Sequence, residues 1–487
     1  VSSVFRTRSK TIRNNDAGDA VDGSSSHHGS AVTLTPRNRV LMTVTFFSMF
    51  FGAGNLIFPA FVGAQAGIAT PAAALGFIVS AVGLPVLGVL AVSSAGGFEQ
   101  LANRVSQRFS LVLGLAIILT IGPCFAIPRT ATTSFEMAVV PFSSGTGIPT
   151  WVWQLAYSLL FFALSYVVAQ HPEKLSNALG KVMGPLLIAL IVVLFISCVA
   201  IGGSSPTAPM GDYGDNQMAR GFLDGYQTMD LLAALYFGIV ISVNISQLGV
   251  DSPAQNRRET GYAGLGTGVL LVVIYAALSY VGVVSGSITT VDPAHDTGAT
   301  VLTNLTQTMF GPVGTAFVGL VFIIACFNVC TGLISTCGTY FQRHFPRMAG
   351  LRMTYRIWSA VFAVFSFVVS NAGLSAIIKV SVPVLAALYP IAITLVALAL
   401  VHRVFSVHFP RVYFWTVLCV GLTALLDCIA SLADVFGGSL PWLDTALAYL
   451  PLHQFQLGWL LPAVIGLIIG IVHSRISPMP NTVGMAE

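Results

Sequence analysis

Long apolar runs follow one another along almost the whole chain, and the charged residues gather in the gaps between them. A helix needs about 20 apolar residues to cross roughly 30 Å of hydrocarbon. Of the 487 residues, 55% are hydrophobic and only 8% are charged, whereas a soluble domain carries about 25% charge. Water is therefore not the main solvent of this chain. Spans are expected near 39–66, 71–95, 109–139, 151–169, 181–201 and 230–250, and again near 261–286, 311–341, 354–370, 374–402, 411–433 and 457–474. The first, third, eighth and tenth are long enough to be tilted or interrupted.

Charge tests this map independently, because Lys and Arg favour cytoplasmic loops. With the N-terminus inside, the inner segments hold Arg6, Arg8, Lys10, Arg13, Arg37, Arg39, Arg104, Arg108, Lys174, Lys181, Arg257 and Arg258. They also hold Arg343, Arg347, Arg352, Arg356, Arg403, Arg411 and Arg475, which makes nineteen of the 22 basic residues. Arg220 alone falls in an outer loop, while Arg129 and Lys379 lie within spans. The expected fold class is an all-α membrane protein of about twelve transmembrane helices, multi-pass in the lipid bilayer, with both termini cytoplasmic. Trp151, Trp153, Trp358, Trp415, Trp442 and Trp459 fall at or beside expected span ends, where indole favours the interface. Residues 1–36 are polar and lack apolar periodicity, and so read as a disordered cytoplasmic tail before a membrane domain over 37–487.

Several function classes are disfavoured. The net charge of +4 gives no reason to expect a nucleic-acid partner. The seven cysteines all lie in apolar runs without a CxxC pair, as packing residues would. A membrane-embedded enzyme calls for Asp, Glu or His clustered at a membrane face, and a channel for a charged ring; the spans contain neither. The GLGTG stretch at 264–268 has no strand before it, so close helix packing explains it better than a nucleotide.

Spans one to five (39–201) and six to ten (230–402) form two blocks of five, followed by two extra helices over 411–474. Because five is odd, the second block enters the membrane upside down relative to the first. Inverted repeats of this kind place a binding site at the midplane, where interrupted helices meet. Span one supplies an interruption, Phe50-Phe51-Gly52-Ala53-Gly54-Asn55-Leu56-Ile57-Phe58-Pro59, which is poor material for an unbroken helix. Span six supplies a weaker one around Tyr236-Phe237-Gly238-Ile239, and span ten carries Pro383 and Pro390, as a moving or gating helix would.

FFSMFFGAGNLIFPAFVGAQAG (46–67), GPCFAIPRTATTSFEM (122–137), MDLLAALYFGIVI (229–241) and SVPVLAALYP (381–390) resemble the bacterial branched-chain amino acid:cation symporter family. The likeness runs through all the spans and excludes the tail. It implies a five-plus-five leucine-transporter-like fold in a bacterial inner membrane, importing leucine, isoleucine and valine with Na+ as coupling ion and no organic cofactor. A proton-coupled carrier of another neutral amino acid is the alternative. In that fold the substrate carboxylate meets the half-helix N–H groups at Ala53 and Gly54. The ammonium meets carbonyls around Phe50 and Phe237, and Phe237, Gly238, Ile239 and Ser242 line the side-chain pocket. Sodium prefers oxygen. Asn55 is a candidate ligand at one site, and Gly332, Ser335 and Thr336, with the carbonyls of Ser48 and Phe51, form a second. Hydroxyls in a span also commonly bond their own helix. Lys181 opens span five at its edge instead of sitting mid-span as in some proton-coupled relatives, which favours sodium.

Charges in spans demand an explanation because they are costly there. Arg129 and Glu136 are seven residues apart, roughly on one helical face, with Lys379 entering from the same side. A gate that pairs and unpairs is one reading; a static pair or a snorkelling lysine is the other. Asp427 is expected to serve as a structural partner or oligomer contact, and Asp230 to cap the outer end of span six. The oligomeric state is left open.

Overall fold

The computed structural model describes residues 34–143, 147–170, 188–200, 205–250, 252–293, 295–348, 350–406 and 408–476. Residues 1–33 of the tail, Lys174 and Lys181 lie outside the described residues, as do the side chains of Ser48, Phe237 and Ile239. Among the described residues the regular structure is helical, apart from a two-residue hairpin pairing Arg347–Met348 with Leu351–Arg352. The principal helices are α1 (Pro36–Phe50), α2 (Ala53–Ala66), α3 (Thr70–Ile78), α4 (Leu84–Ala95), α5 (Gln107–Leu119), α6 (Ala126–Ala138), α7 (Thr150–Ala169) and α8 (Ile188–Ala200). They continue as α9 (Gln217–Gly225), α10 (Asp230–Gln247), α11 (Pro253–Ile288), α12 (Gly298–His344), α13 (Tyr355–Ser370), α14 (Leu374–Leu400), α15 (Val412–Val435), α16 (Pro441–Ala448) and α17 (Leu460–Ile476).

Among the described residues, seven helical runs are long and apolar enough to cross a membrane, or eight if α10, bent by 49° between Asp230–Tyr236 and Val240–Gln247, counts as one. One of the seven, Ala53–Ala95, joins α2 to α4 through a 3-10 turn at Gly67–Ala69 and a π-helical turn at Val79–Gly83. Three shorter apolar helices, α8, α13 and α17, add to these. Their outward faces are apolar: Leu160 on α7, Val368 on α13 and Leu422 on α15 are each about 60% exposed (61%, 64% and 59%), a surface that water would not tolerate over so many helices.

Two of the four long expected spans, the first and the third, are interrupted. The first breaks at Phe51-Gly52, between α1 and α2. The third breaks at Gly122 (φ −107°, ψ −122°), between α5 and α6. The eighth, expected over 311–341, is unbroken; α12 kinks where that span begins, at Gly311 (φ 63°, ψ −165°), with Pro312 following. The tenth, α14, differs from expectation: it is one continuous 27-residue helix containing both Pro383 and Pro390. Each proline removes only a single backbone donor, and Ser381, bonded to the Ile378 carbonyl (2.9 Å) and the Gln227 side chain (3.1 Å), ties the segment to its neighbours. Trp358 lies at a helix end as expected, in the first turn of α13. It is buried against Phe341 and Phe362, with its Nε1–H donated to the Phe345 carbonyl.

α2 is the central element. It packs along α11 and α12, while α6 lies along α12, α10 on α4, and α15 on α14 and α17. Contact between α2 and α11 is backbone to backbone: a Cβ on Gly63 would sit 1.9 Å from the Ser279 carbonyl oxygen, and one on Gly282 would sit 1.9 Å from that of Ala60. Small residues at such crossings permit close approach where lipid gives helices no hydrophobic reason to associate. Replacing Gly282 with Ala is expected to force α2 off α11 and lower stability by about 1–3 kcal/mol. Gly421→Ala, where the added Cβ meets only Ile391 at 3.7 Å, should be neutral or mildly stabilising. Thermal unfolding of the two variants in detergent checks the contrast.

Candidate functional site

The interruption of the first span is built from local chemistry. α1 ends where the Phe51 N–H bonds the Phe47 carbonyl at 2.9 Å, and Phe51 turns extended (φ −75°, ψ 100°). Gly52 follows, also extended (φ −121°, ψ −172°), and α2 begins at Ala53. The last carbonyls of one helix and the first N–H groups of the next therefore meet deep in the protein, Phe51 and Ala53 each being 6% exposed. A helix leaves its first N–H groups without intrahelical partners, and hydrocarbon offers none.

Asn55 answers part of that demand. Its Oδ1 accepts from the Gly52 N–H at 3.3 Å, and its own N–H bonds the Gly52 carbonyl at 3.2 Å. Its Nδ2 donates to Asp230 Oδ2 at 2.7 Å and to the Tyr275 hydroxyl at 2.5 Å; that hydroxyl donates in turn to Asp230 Oδ2 at 3.3 Å. Asn55, Asp230 and Tyr275 are all buried, so one amide joins the break to the start of α10 and the middle of α11. Asp230 is thus not the expected helix cap. Met229, in a left-handed conformation (φ 61°), holds the cap position, which frees the Asp230 carboxylate to turn inward. Nothing local in the sequence marks Tyr275 as the third member; the one available signal was an acid opening an apolar run.

Arg129 on α6 reaches the other side of the same turn. Its guanidinium lies over the Phe58 ring (5.1 Å from Cζ to the centroid), and a Cβ on Gly54 would stand 3.2 Å from its Nη2. The expected pairing with Glu136 does not form. Seven residues of helix separate the two by about 10.5 Å along the axis, and Glu136 instead accepts from the Thr297 hydroxyl (2.9 Å) at the start of α12. Lys379 is exposed and enters no ion pair among the described residues.

The remaining candidates divide. α12 passes the break through Val329, whose side chain is 3.8 Å from where a Gly52 Cβ would be, three residues before Gly332. The Thr336 hydroxyl donates to the Gly332 carbonyl at 2.9 Å, and Ser335 is half-buried. Gly238 is buried against Val89 of α4 at the bend of α10, so packing and bending coincide there. Ser242 is not brought to the break: its hydroxyl donates to Asn256 Oδ1 at 2.7 Å, twelve residues or roughly 18 Å along α10 from Asp230. Phe50 is buried beside Phe46, with ring centroids 4.9 Å apart. Asp427 lies 3.9 Å from the His453 ring, in a crevice with Pro390 and Trp459. No group of three or more His, Cys, Asp or Glu side chains among the described residues is placed to hold a metal ion.

A second polar tie links the first turn of α1 to α11. Arg39 donates from Nε and Nη2 to both carboxylate oxygens of Glu259, at 2.8 and 2.7 Å, and Glu259 is buried.

Comparison with known proteins agrees over nearly the whole chain. Residues 36–477 match the family model described as branched-chain amino acid transport protein. The chain is 36% identical over 445 residues to the branched-chain amino acid transport system 2 carrier protein of Pseudomonas aeruginosa, covering 89% of this chain and 95% of that one. It is 36% identical over 448 residues to the branched-chain amino acid permease BrnQ of Escherichia coli (91% and 97%), and 33% identical over 442 residues to the permease BraB of Bacillus subtilis (90% and 96%). Among solved structures it resembles Mhp1, a nucleobase-cation-symport-1 family transporter, in a closed conformation with bromovinylhydantoin bound (TM-score 0.58, 12% identity, covering 90% and 92%). It also resembles the Eremococcus coleocola manganese transporter in complex with an aromatic bis-isothiourea substituted compound (TM-score 0.50, 16% identity, covering 93% and 100%). At such identities the likeness shows a shared transporter fold. The chain belongs to the branched-chain amino acid transport protein family, and is a membrane transporter rather than an enzyme.

Proposed function

We propose that the protein imports leucine, isoleucine and valine by symport with sodium. The observation that carries this reading is the broken first span, whose buried helix ends and polar neighbours provide, inside an apolar protein, the groups an amino acid needs. The family supplies the substrate class. Mhp1, of the same fold, is named a cation symporter, and that supports coupling to a cation without naming which one. In this reading the chain makes twelve spans in a bacterial inner membrane with both ends cytoplasmic. Residues 39–201 and 230–402 are inverted repeats, 411–474 form two added helices, and 1–36 are a cytoplasmic tail.

The substrate carboxylate lies at the Ala53 and Gly54 N–H groups, and sodium lies between the first break and α12, using Ser335, Thr336 and the carbonyls of Ser48, Phe51 and Gly332. Asn55 is better seen as a brace than an ion ligand, since its amide oxygen already accepts from Gly52. One cation moving through about 100 mV releases roughly 2.3 kcal/mol, enough for more than tenfold accumulation. One methylene in an apolar pocket discriminates by only about 1–3 kcal/mol, so the three substrates compete with overlapping affinities. A proton-coupled carrier is the second reading, favoured by the enclosed carboxyl of Asp230.

Two expectations follow. In liposomes holding the purified protein, an inward sodium gradient drives leucine accumulation that isoleucine and valine inhibit, and the Ser335→Ala/Thr336→Ala variant loses most of the sodium dependence. Accumulation driven by a proton gradient alone would replace sodium with protons. The Arg39–Glu259 tie, on the proposed cytoplasmic side, should hold α1 closed against α11. Arg39→Gln and Glu259→Gln should each speed sodium-free leucine leak from preloaded liposomes about fivefold, the effect of ~1 kcal/mol on a two-state equilibrium. The double variant should add nothing beyond either one.

A further inference from the structure

Resting on the amino-acid reading above, we infer that Arg129 is the receptor for the substrate's carboxylate and that Asp230 faces its ammonium group across the same helical turn. Arg129 is 4% exposed, and its Nη1 is fully buried with no hydrogen-bond partner. Arg39, Arg220 and Arg343 form ion pairs, whereas Arg129 enters none among the described residues. An uncompensated guanidinium in a low-dielectric interior is expensive, and the Phe58 ring beside it offsets only part of that cost. An anionic ligand supplies what is missing.

The surroundings say which anion. The guanidinium is held against the first turn of α2, a 14-residue helix whose leading N–H groups point toward negative charge. Gly54 makes that approach possible, since a Cβ there would crowd Nη2 at 3.2 Å. A planar fork beside a helix N-terminus suits a carboxylate, which accepts two parallel hydrogen bonds from arginine.

A second observation narrows the ligand further. The residue after Gly54 is Asn55, which grips Asp230 at 2.7 Å. Consecutive residues of one turn thus touch a buried cation and brace a buried anion. The two charges form no ion pair with each other within 4 Å. Direct pairing would be the cheapest arrangement for two charges without a ligand. A buried cation and a buried anion braced at one turn but not paired directly suit a ligand that bears both signs, an α-amino acid zwitterion, better than a simple carboxylic acid or amine.

The test is calorimetric titration of the purified full chain, in detergent with sodium present, using leucine, leucinol (no carboxylate) and 4-methylpentanoate (no ammonium). The wild-type protein should bind leucine about 100-fold tighter than leucinol, the scale of a buried charged contact. In Arg129→Gln that ratio should collapse toward one, through loss of leucine affinity with leucinol unchanged. Arg129→Lys, which keeps the charge but loses the fork, should fall between. Gly54→Ala, which crowds the guanidinium at 3.2 Å without removing it, should move the ratio the same way by a smaller amount and guards against misfolding of the charge variant. Asp230→Asn should lose the preference for leucine over 4-methylpentanoate. A leucine-to-leucinol ratio unchanged in Arg129→Gln overturns the assignment while leaving the transport reading intact. Equal loss of both ligands, in a variant with normal elution and melting, also overturns it by making Arg129 a support for the site's shape. A wild-type protein that binds none of the three defeats the transport reading and the assignment together.

Discussion

Everything at the centre of this protein depends on how it satisfies a helix broken inside an apolar environment. An unpaired backbone group in hydrocarbon costs several kcal/mol, so Phe51-Gly52 can persist only where side chains or a ligand complete the missing bonds. Asn55 does the first part. Its oxygen faces the Gly52 N–H, and its nitrogen faces Asp230 and Tyr275, so a local repair also fixes α2 against α10 and α11. The close approach of α2 to α11 through Gly63 and Gly282 serves the same end, because it brings Tyr275 within reach of Asn55.

What could be read from the sequence follows from the range of each interaction. Spans and breaks are local properties. Twenty apolar residues, or two glycines beside an asparagine, announce themselves without knowledge of the fold, and the interruptions at Gly52 and Gly122 fall in runs already expected to be long. The site is less legible because its bonds join positions 175 and 220 apart. Asp230 looks like a helix cap when only its neighbours are considered, since nothing nearby reveals that Met229 takes the capping geometry. Arg129 and Glu136 look like a pair when only helical periodicity is considered, although each faces a different partner helix. In α14, proline content alone overstated irregularity.

The two polar ties have different mechanical characters. Arg39 is 39% exposed and its partner Glu259 1% exposed, so water reaches one side of that pair and can replace it at moderate cost. The Asn55–Asp230–Tyr275 cluster is enclosed on every side, and breaking it strands buried polar atoms, which is far more costly. Motion during a transport cycle should therefore run through the first tie and around the second. α1 can swing away from α11 at its solvated end while α2 stays bound to α10 and α11, with Phe51-Gly52 as the joint between them.

That division bears on selectivity. If the charged ends of the substrate are held by Arg129 and Asp230 against a turn that does not move, recognition of the amino-acid backbone is rigid and the side chain is read separately. Rigid polar groups penalise a ligand that lacks its own charge, because the unmatched protein group stays buried. An apolar pocket penalises one methylene more or less only weakly. A carrier built this way is strict about being offered an α-amino acid and lenient about which branched side chain comes with it. Gly54 belongs to the strict half: a Cβ there would crowd the Arg129 guanidinium at 3.2 Å and shift it from its place against the helix turn.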